Sequence, residues 1–195
     1  LNRTPSTFIF CPKLSRYITH QMQLVNIDES LDKFFGVFKA MREKLGPVLI
    51  QLPPGLHFDK TLIVNFLNLI KSRYSDYRLA VEIRNRTWIN DDFFDLLEKY
   101  RAGFVIADSG DRYPSSENVT TDFVYLRFHG RENLYASDYS ESVLNEYAGK
   151  IINWIKEGKD VWAFFNNDYY GFAVRNALRL REILELRIAD FGLRI

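Results

Sequence analysis

The residue types that could do chemistry in this chain are carboxylates and imidazoles placed at or near the ends of apolar runs. Glu82 and Asp108 close two such runs, His129 closes a third, and His20 follows the first run by a few residues. An imidazole can accept or donate a proton near neutral pH, and a carboxylate can do so when its surroundings shift its pKa. We therefore predict that Glu82, Asp108, His129 and His20 are catalytic residues.

A second set of polar residues lies near the same points in the sequence and could bind a substrate. Arginine can donate two parallel hydrogen bonds to a carboxylate or a phosphate, and amide side chains can orient hydroxyl groups. Aromatic residues just after the runs could stack on a sugar ring or a base, or could simply pack at a rim; they are Trp88, Tyr135, Tyr169 and Tyr170. The predicted substrate-binding residues are Lys13, Gln51, Arg84, Trp88, Arg127, Asn166, Asn167 and Asp168.

Six apolar runs carry these residues, and their length and composition predict β-strands. The runs span residues 8–13, 48–51, 79–84, 104–108, 124–129 and 161–168. Segments with the helical spacing of apolar residues separate most of them. The residues that could cap those helices are Asp28, Asp59, and Asn90 or Asp91, and a further helix begins at about Ser140. Alternating strands and helices predict a parallel sheet whose polar strand ends gather at one edge.

Side-chain parity adds detail, because neighbouring residues on a strand point to opposite faces. Glu82 and Arg84 share one face of their strand, and Arg127 and His129 share one face of theirs. The opposite faces are apolar, so we expect them under helices, with the polar faces turned toward a barrel lumen or a crevice. Charged groups on buried strands are costly unless paired, so an internal ion-pair network is the alternative interpretation.

Two architectures fit this pattern. Six strands suffice for an open parallel α/β sheet, whereas a TIM-type barrel needs eight, and two more would have to lie upstream of Leu1. The chain opens almost directly into the first run without a Met, so we expect residues to be missing upstream. No linker is evident, and we predict one domain over residues 1–195, with a tail at 186–195 to which we assign no role.

Composition narrows the class of protein and its partners. The 195 residues are 47% hydrophobic and carry a formal net charge of +1, which gives no general electrostatic reason to expect nucleic acid as a partner. No apolar run approaches the ~20 residues that span a bilayer, so no membrane partner is expected. Cys11 is the single cysteine, which rules out an internal disulfide and a multi-cysteine zinc site and favours a cytoplasmic location.

The strand ends, taken in order, form a set of motifs that is specific as a combination. They are Lys13 with Thr19-His20; Lys44-Leu45-Gly46 with Gln51-Leu52-Pro53-Pro54; Glu82-x-Arg84 with Trp88; Asp108-Ser109; Tyr125-x-Arg127-x-His129-Gly130; and Phe165-Asn166-Asn167-Asp168 with Gly171, Ala173, Asn176 and Ala177. Over roughly residues 7–184 the sequence resembles the YecE-like family, a domain of unknown function. The resemblance implies a TIM-type α/β barrel whose first one or two βα units are absent from this chain.

Two positions depart from that family pattern. Asn85 stands where the family more often has His, and Thr87 stands where it usually has Ser. If the family uses that histidine, this chain lacks it. The family has no settled activity, so the resemblance supplies no reaction.

Three functions stay open at this point. The first is an enzyme, a hydrolase, lyase or isomerase, that acts on a small anionic, phosphorylated or sugar-like substrate by acid/base chemistry. The second is a metal-assisted nucleic-acid-processing protein, by analogy with endonuclease IV-like barrels. The third is a non-catalytic ligand-binding protein. We predict no cofactor; a divalent metal would draw on Glu82, Asp108, Asp168, His20 and His129. The oligomeric state is left open.

Overall fold

Strands and helices alternate along most of the chain in the computed structural model, which describes residues 4–191. The strands are β1 Val48–Gln51, β2 Leu79–Glu82, β3 Ala102–Asp108, β4 Phe123–Phe128 and β5 Asp160–Phe165. The α-helices are α1 Asp28–Phe38, α2 Lys60–Tyr74, α3 Asp91–Lys99, α4 Glu141–Lys156 and α5 Phe172–Phe191. A π-helical turn covers Tyr17–Gln21, and 3₁₀ turns cover Lys39–Lys44, Arg86–Trp88 and Tyr169–Gly171. The predicted α/β class is confirmed.

Each strand in the described part of the chain runs parallel to its neighbour. β1 pairs with β2 in a register that sets Gln51 beside Glu82. The first three residues of β3 pair with β2, and its last four pair with β4, which also pairs with β5. The carboxyl ends of parallel neighbours lie at the same edge, so this register decides which strand-end residues meet.

The strand that the sequence predicted at residues 8–13 does not form as a continuous strand. Only Phe10 and Lys13 make parallel bridges, the second of them to Leu49 of β1. Pro12 lies between them and has no N–H to donate, so the ladder is interrupted there. The Leu49 N–H still donates to the Pro12 carbonyl at 2.8 Å. This attachment holds Lys13 near the carboxyl end of β1.

Polar side chains cap three of the helices; Asp59 and Asn90 were predicted as caps from the sequence, and Ser140 was predicted only as a helix start. Asp59, Asn90 and Ser140 each accept a hydrogen bond from the backbone N–H three residues later, at 3.0, 2.9 and 3.4 Å. Asp28 is the exception, because it lies inside the first turn of α1 and Ile27 occupies the N-cap. There the carboxylate does not cap the helix, but its charge favours the helix N-terminus and it pairs with Arg73 Nη2 at 2.9 Å.

The chain separates into two compact units, one up to Phe104 and one from Val105 onward. Each unit has its own apolar core. Fully buried side chains of the first unit include Ile50, Phe66, Leu67, Trp88 and Phe93. Buried side chains of the second unit include Leu126, Phe128, Leu144, Ile151 and Leu180. The expectation of a single domain over residues 1–195 stays a prediction.

The carboxyl-terminal segment continues a helix. α5 extends to Phe191, and the part of the predicted tail from residue 192 onward lies outside the described residues. None of the helices within residues 4–191 combines the length and the apolar character needed to cross a bilayer.

Candidate functional site

In the first unit, the carboxyl ends of β1 and β2 bring predicted site residues together. Gln51 ends β1 and lies beside Glu82, which ends β2. The Lys13 ammonium donates a hydrogen bond to Gln51 Oε1 at 2.8 Å, although the two residues are far apart in sequence. An ammonium group, an amide and a carboxylate are therefore positioned by three neighbouring segments.

Glu82 and Arg84 form an ion pair that is almost completely withdrawn from water. Arg84 Nη2 lies 2.8 Å from Glu82 Oε1, and the side chains are only 3% and 0% exposed. Charges removed from water attract each other strongly, and each is costly to bury without its partner. The pair fixes a guanidinium at the end of β2.

His20 lies in the π-helical turn Tyr17–Gln21, a helix type that is rare and often marks functional positions. Its Nδ1 atom lies 2.8 Å from Oγ1 of Thr19, which is completely buried. The chain then passes through three non-glycine residues with positive φ, Gln23, Leu24 and Asn26. Such conformations are strained and persist where the surroundings enforce them.

The surroundings of His20 are positively charged. Burial lowers the pKa of His20 below its ordinary value, and the charges of Arg16, Lys13 and Arg84 lower it further. We call the three residues whose charges act on His20, namely Lys13, Arg16 and Arg84, the cation group. Sequence reasoning missed Arg16, although its place three residues after Lys13 and four before His20 is the spacing of one helical face.

Trp88 does not occupy the rim position that the sequence suggested. It is fully buried, and its Nε1–H donates to the Leu56 carbonyl at 2.7 Å. Phe58 and Phe93 pack edge-on against its ring, at centroid distances of 5.3 and 5.0 Å. With no face of the indole open to solvent, the ring belongs to the core of the first unit, and the expectation of a substrate stacking on it is not met.

Asn85, the position that departs from the family pattern, has a clear local role. Its Oδ1 accepts hydrogen bonds from the Thr87 N–H at 3.0 Å and from Thr87 Oγ1 at 2.8 Å. Its Nδ2 donates to the Pro54 carbonyl at 2.8 Å, and Thr87 Oγ1 accepts from the Phe58 N–H at 2.9 Å. Asn85 and Thr87 therefore fasten the loop after β1 to the turn after β2.

In the second unit, Asp108 at the end of β3 is the centre of a hydrogen-bond network. Its carboxylate accepts two hydrogen bonds from Arg131 Nε, at 2.8 and 3.1 Å, and Arg131 Nη2 lies 2.8 Å from it. The Tyr147 hydroxyl donates to it at 2.7 Å, and the Tyr139 hydroxyl lies 3.3 Å from the carboxylate and 3.2 Å from the Asp108 carbonyl oxygen. Burial, followed by the charge of Asp108, raises the pKa of both tyrosines, so both remain donors. Asp108 is therefore held by an arginine and two tyrosines from other segments of the second unit.

His129 follows β4 and is almost completely buried. Its backbone N–H donates to the Asp108 backbone carbonyl at 2.7 Å, and its backbone carbonyl accepts from the Tyr135 N–H at 2.6 Å. The rings of Tyr113 and Tyr135 meet the imidazole edge-on, at centroid distances of 5.9 and 5.7 Å. The structure thus holds His129 in an aromatic enclosure at the carboxyl end of β4.

The strand ends of β4 and β5 meet through an arginine and an amide. Arg127 Nη2 donates to Asn166 Oδ1 at 2.9 Å. Asn167 is completely buried, and its Nδ2 donates to the Ser137 carbonyl at 2.9 Å and to Asn176 Oδ1 at 2.8 Å. Asn167 therefore anchors a loop, whereas Asn166 lies next to a guanidinium.

The remaining polar and aromatic predictions in this unit lie on the surface. Asp168 is exposed and makes no side-chain cap of the following 3₁₀ turn. Tyr135, Tyr169 and Tyr170 are exposed by 41%, 61% and 77%. Tyr135 and Tyr170 also have positive φ values of 65° and 62°. These three rings, unlike Trp88, have the open rim position that the sequence suggested.

The described part of the second unit contains a polar cavity and an apolar groove. One, of about 330 Å³, is bordered by Asp108 and Arg131 together with the loop that follows β3. The other, of about 500 Å³, is an apolar groove between α4, β5 and α5, bordered by residues such as Ile155 and Leu184. The described lining of this groove includes none of the predicted site residues.

The described residues also bear on metal and thiol chemistry. Within residues 4–191, no three or more His, Cys, Asp or Glu side chains converge so that they could hold a metal ion. The divalent metal considered from the sequence stays a prediction. Burial raises the pKa of the Cys11 thiol to about 11, although the charge of Arg78 opposes this, so the thiol stays protonated at neutral pH.

The fold and the strand ends define an α/β protein that carries charged and amide groups after its parallel strands. The chain belongs to the family described as protein of unknown function DUF72, whose model matches residues 1–194. This confirms the resemblance seen in the sequence motifs.

Similar proteins agree with this assignment. The UPF0759 protein YunF of Bacillus subtilis (strain 168) is 25% identical over 223 residues, which cover 98% of this chain and 78% of YunF. A DUF72 family protein from Thermotoga maritima has a crystal structure that is similar with a TM-score of 0.85 and 28% identity, over 94% of this chain and 76% of that one. A DUF72 family protein from Enterococcus faecalis, at 23% identity and a TM-score of 0.81 over 93% of this chain and 76% of that one, shows the fold alone. Since these names state no activity, the argument for function depends on the residues.

Proposed function

We propose that this chain is an enzyme that acts on a small anionic substrate, phosphorylated or sugar-like, by acid/base chemistry. The observation that carries the proposal is the arrangement at the ends of β1 and β2, where Lys13 bonds Gln51, and Gln51 lies beside the ion pair of Glu82 with Arg84. The charges of the cation group also lower the pKa of His20. The charges that lower the pKa of His20 come from three cations, so we expect a positive electrostatic potential at the imidazole, although Glu82 offsets part of the charge of Arg84. A positive potential next to a partly exposed imidazole favours an anionic ligand over a neutral or cationic one.

The roles follow from the chemistry of each side chain. The ammonium of Lys13 and the guanidinium of Arg16 would bind the anionic group, and the buried Arg84 would act on it through its charge. Gln51, held by Lys13, would orient a hydroxyl group. A bound anion opposes the cations and raises the pKa of His20, which favours proton exchange with the substrate. Glu82 would position Arg84 through their ion pair rather than move protons itself.

In the second unit we assign different roles to the predicted residues. Arg127 with Asn166 offers a guanidinium and an amide for an anionic or hydroxylated group, and His129 remains a candidate for proton transfer. Asp108 and Asn167 are committed to internal hydrogen bonds, so we assign them structural roles. A small-molecule partner and a cytoplasmic location are part of the same proposal.

We also propose that the parallel strands belong to a TIM-type barrel. The strands follow one another in chain order through the pairs β1–β2, β2–β3, β3–β4 and β4–β5. A doubly wound open sheet reverses its strand order at a switch point, whereas a barrel keeps the chain order. The order of pairing therefore supports the barrel over the doubly wound alternative.

The test is a turnover screen with small phosphorylated and carboxylated sugars, followed by NMR of the substrate. We expect at least one compound to be converted. Lys13→Met should then raise KM because it removes a group that binds the anion, and His20→Asn should lower kcat because it removes the group that exchanges a proton. Compounds that bind but stay unchanged on prolonged incubation would contradict the enzyme and favour a ligand-binding protein.

A further inference from the structure

We infer that Thr19 fixes the tautomer of His20, so that Nε2 carries the proton and presents an N–H donor to an oxygen of the anionic substrate. The use of that donor depends on the proposed function, but the tautomer itself does not. Thr19 acts here as a positioning residue, since it reaches the substrate only through His20.

The inference starts from the hydrogen-bond inventory of the Thr19 hydroxyl group. Oγ1 lies 2.8 Å from His20 Nδ1 and 3.3 Å from the Ser15 carbonyl oxygen. A hydroxyl has one proton, so it can donate to only one of these two acceptors. Thr19 is completely buried, and water therefore cannot take over either contact.

The Ser15 carbonyl is the weaker acceptor of the two. It already accepts the N–H groups of Ile18 and Thr19, at 3.1 and 3.2 Å, and a carbonyl oxygen has two lone pairs. The contact of 2.8 Å with His20 Nδ1 has the ordinary length of a good hydrogen bond, whereas 3.3 Å is long for a hydroxyl donor. The Thr19 hydroxyl therefore donates to Nδ1, and the ring proton must be on Nε2.

The electrostatic surroundings favour the neutral imidazole, which the tautomer requires. Burial and the charges of Arg16, Lys13 and Arg84 lower the pKa of His20 before an anion binds, so the ring is then neutral and Nδ1 is an acceptor. Because Thr19 contacts Nδ1, Nε2 is the ring nitrogen at which His20 would contact a ligand. Its N–H group adds a neutral donor to the cation group, an arrangement suited to an oxygen that gains negative charge during a reaction.

The experiment is heteronuclear NMR of the His20 imidazole at pH 7.5, where two-bond correlations distinguish the protonated nitrogen from the unprotonated one. We expect Nε2 to be protonated in the wild type. Thr19→Val, which removes the hydroxyl at nearly constant volume, should shift both nitrogen signals toward a mixture of tautomers, and Thr19→Ser should restore them. Protonation at Nδ1 in the wild type would overturn the inference even if Thr19→Val does not fold.

A second comparison separates this inference from the proposed function. Titration with inorganic phosphate tests whether the cation group binds an anion, and it does not depend on the tautomer. An Nε2–H tautomer without phosphate binding would contradict the proposed function alone. Phosphate binding by a wild type with an Nδ1–H tautomer, or Thr19→Val spectra identical to those of the wild type, would contradict the role of Thr19 alone.

Discussion

Arg84 Nη2 lies 2.8 Å from Glu82 Oε1, and both side chains are shielded from water at the end of β2. The two residues lie two apart, which is the spacing that puts side chains of an extended chain on one face. A guanidinium at the end of a buried strand is kept charged and in place by this carboxylate. The ion pair is thus the fixed point of the cation group around His20.

Replacement of Glu82 by Gln tests the energetic side of this pair. We expect Glu82→Gln to lower the free energy of unfolding by about 3–5 kcal/mol, because it removes the charge that compensates a buried guanidinium. Urea unfolding measures the change. Asp92→Asn is the matched control, since Asp92 pairs with Lys60 at 2.8 Å on the exposed surface and should cost less than about 1 kcal/mol. Equal losses in the two variants would contradict the account.

The network around Asp108 predicts a structural rather than a catalytic role for that carboxylate. Tyr147→Phe removes the O–H donor at 2.7 Å and should lower the free energy of unfolding by about 1.5–3 kcal/mol. Tyr100→Phe is the control, because the Tyr100 hydroxyl bonds the exposed Asn68 at 2.6 Å and should cost about 1 kcal/mol or less. Denaturant unfolding of both variants measures the two changes in the free energy of unfolding. A larger decrease in Tyr100→Phe than in Tyr147→Phe would refute the role of Asp108 as a network centre.

Asn85 offers a two-part test of the loop that it fastens. Asn85→Ala removes the acceptor for Thr87 and the donor to the Pro54 carbonyl, and should cost about 1–2 kcal/mol in unfolding free energy. Asn85→Ser keeps an acceptor for the Thr87 N–H and loses the donor to the Pro54 carbonyl, so it should fall between the wild type and Asn85→Ala. If Asn85→Ser destabilises as much as Asn85→Ala, the contact with Thr87 contributes nothing.

The sequence could predict those site features that depend on strand ends and periodicity. Gln51 and Glu82 stand at the ends of neighbouring strands, and parallel pairing was enough to expect them together. The caps Asp59 and Asn90 were predictable because a polar residue before an apolar helical stripe is a local signal. The interruption at Pro12 was also encoded locally, by the missing N–H, but the strand prediction did not take it into account.

Other features depend on contacts between distant segments, and the sequence carries no local signal for them. Tyr139 and Tyr147 reach Asp108 from more than thirty residues away. The sequence therefore could not show whether this carboxylate is available to a substrate or already hydrogen-bonded within the protein. Trp88 follows a strand and was expected at a rim, but the 3₁₀ turn Arg86–Trp88 directs it into the core. Arg16 had a helical spacing to His20, yet it precedes a π-helical turn that no periodicity predicted.

The lowered pKa of His20 predicts a pH dependence of stability. The relevant pH range begins near the ordinary histidine pKa of about 6.5 and extends down to the pKa of His20 in the folded protein. Within this range the unfolded chain binds more protons at His20 than the folded chain does. The free energy of unfolding should therefore fall as the pH falls through this range. His20→Asn removes the titration, so the difference between variant and wild type should grow in favour of the variant as the pH falls. A difference that stays constant with pH would contradict the lowered pKa.

The central claim is that the cation group binds an anion next to a neutral His20, and phosphate titration followed by the NMR signals of His20 at low ionic strength tests it most directly. We predict a saturable shift of these signals in the wild type. In the double variant Lys13→Met/Arg16→Met the dissociation constant should rise roughly tenfold or more. In the control Lys60→Met, whose charge lies on the exposed surface, it should not change. The absence of a saturable shift, or equal dissociation constants in the two variants, would contradict the account.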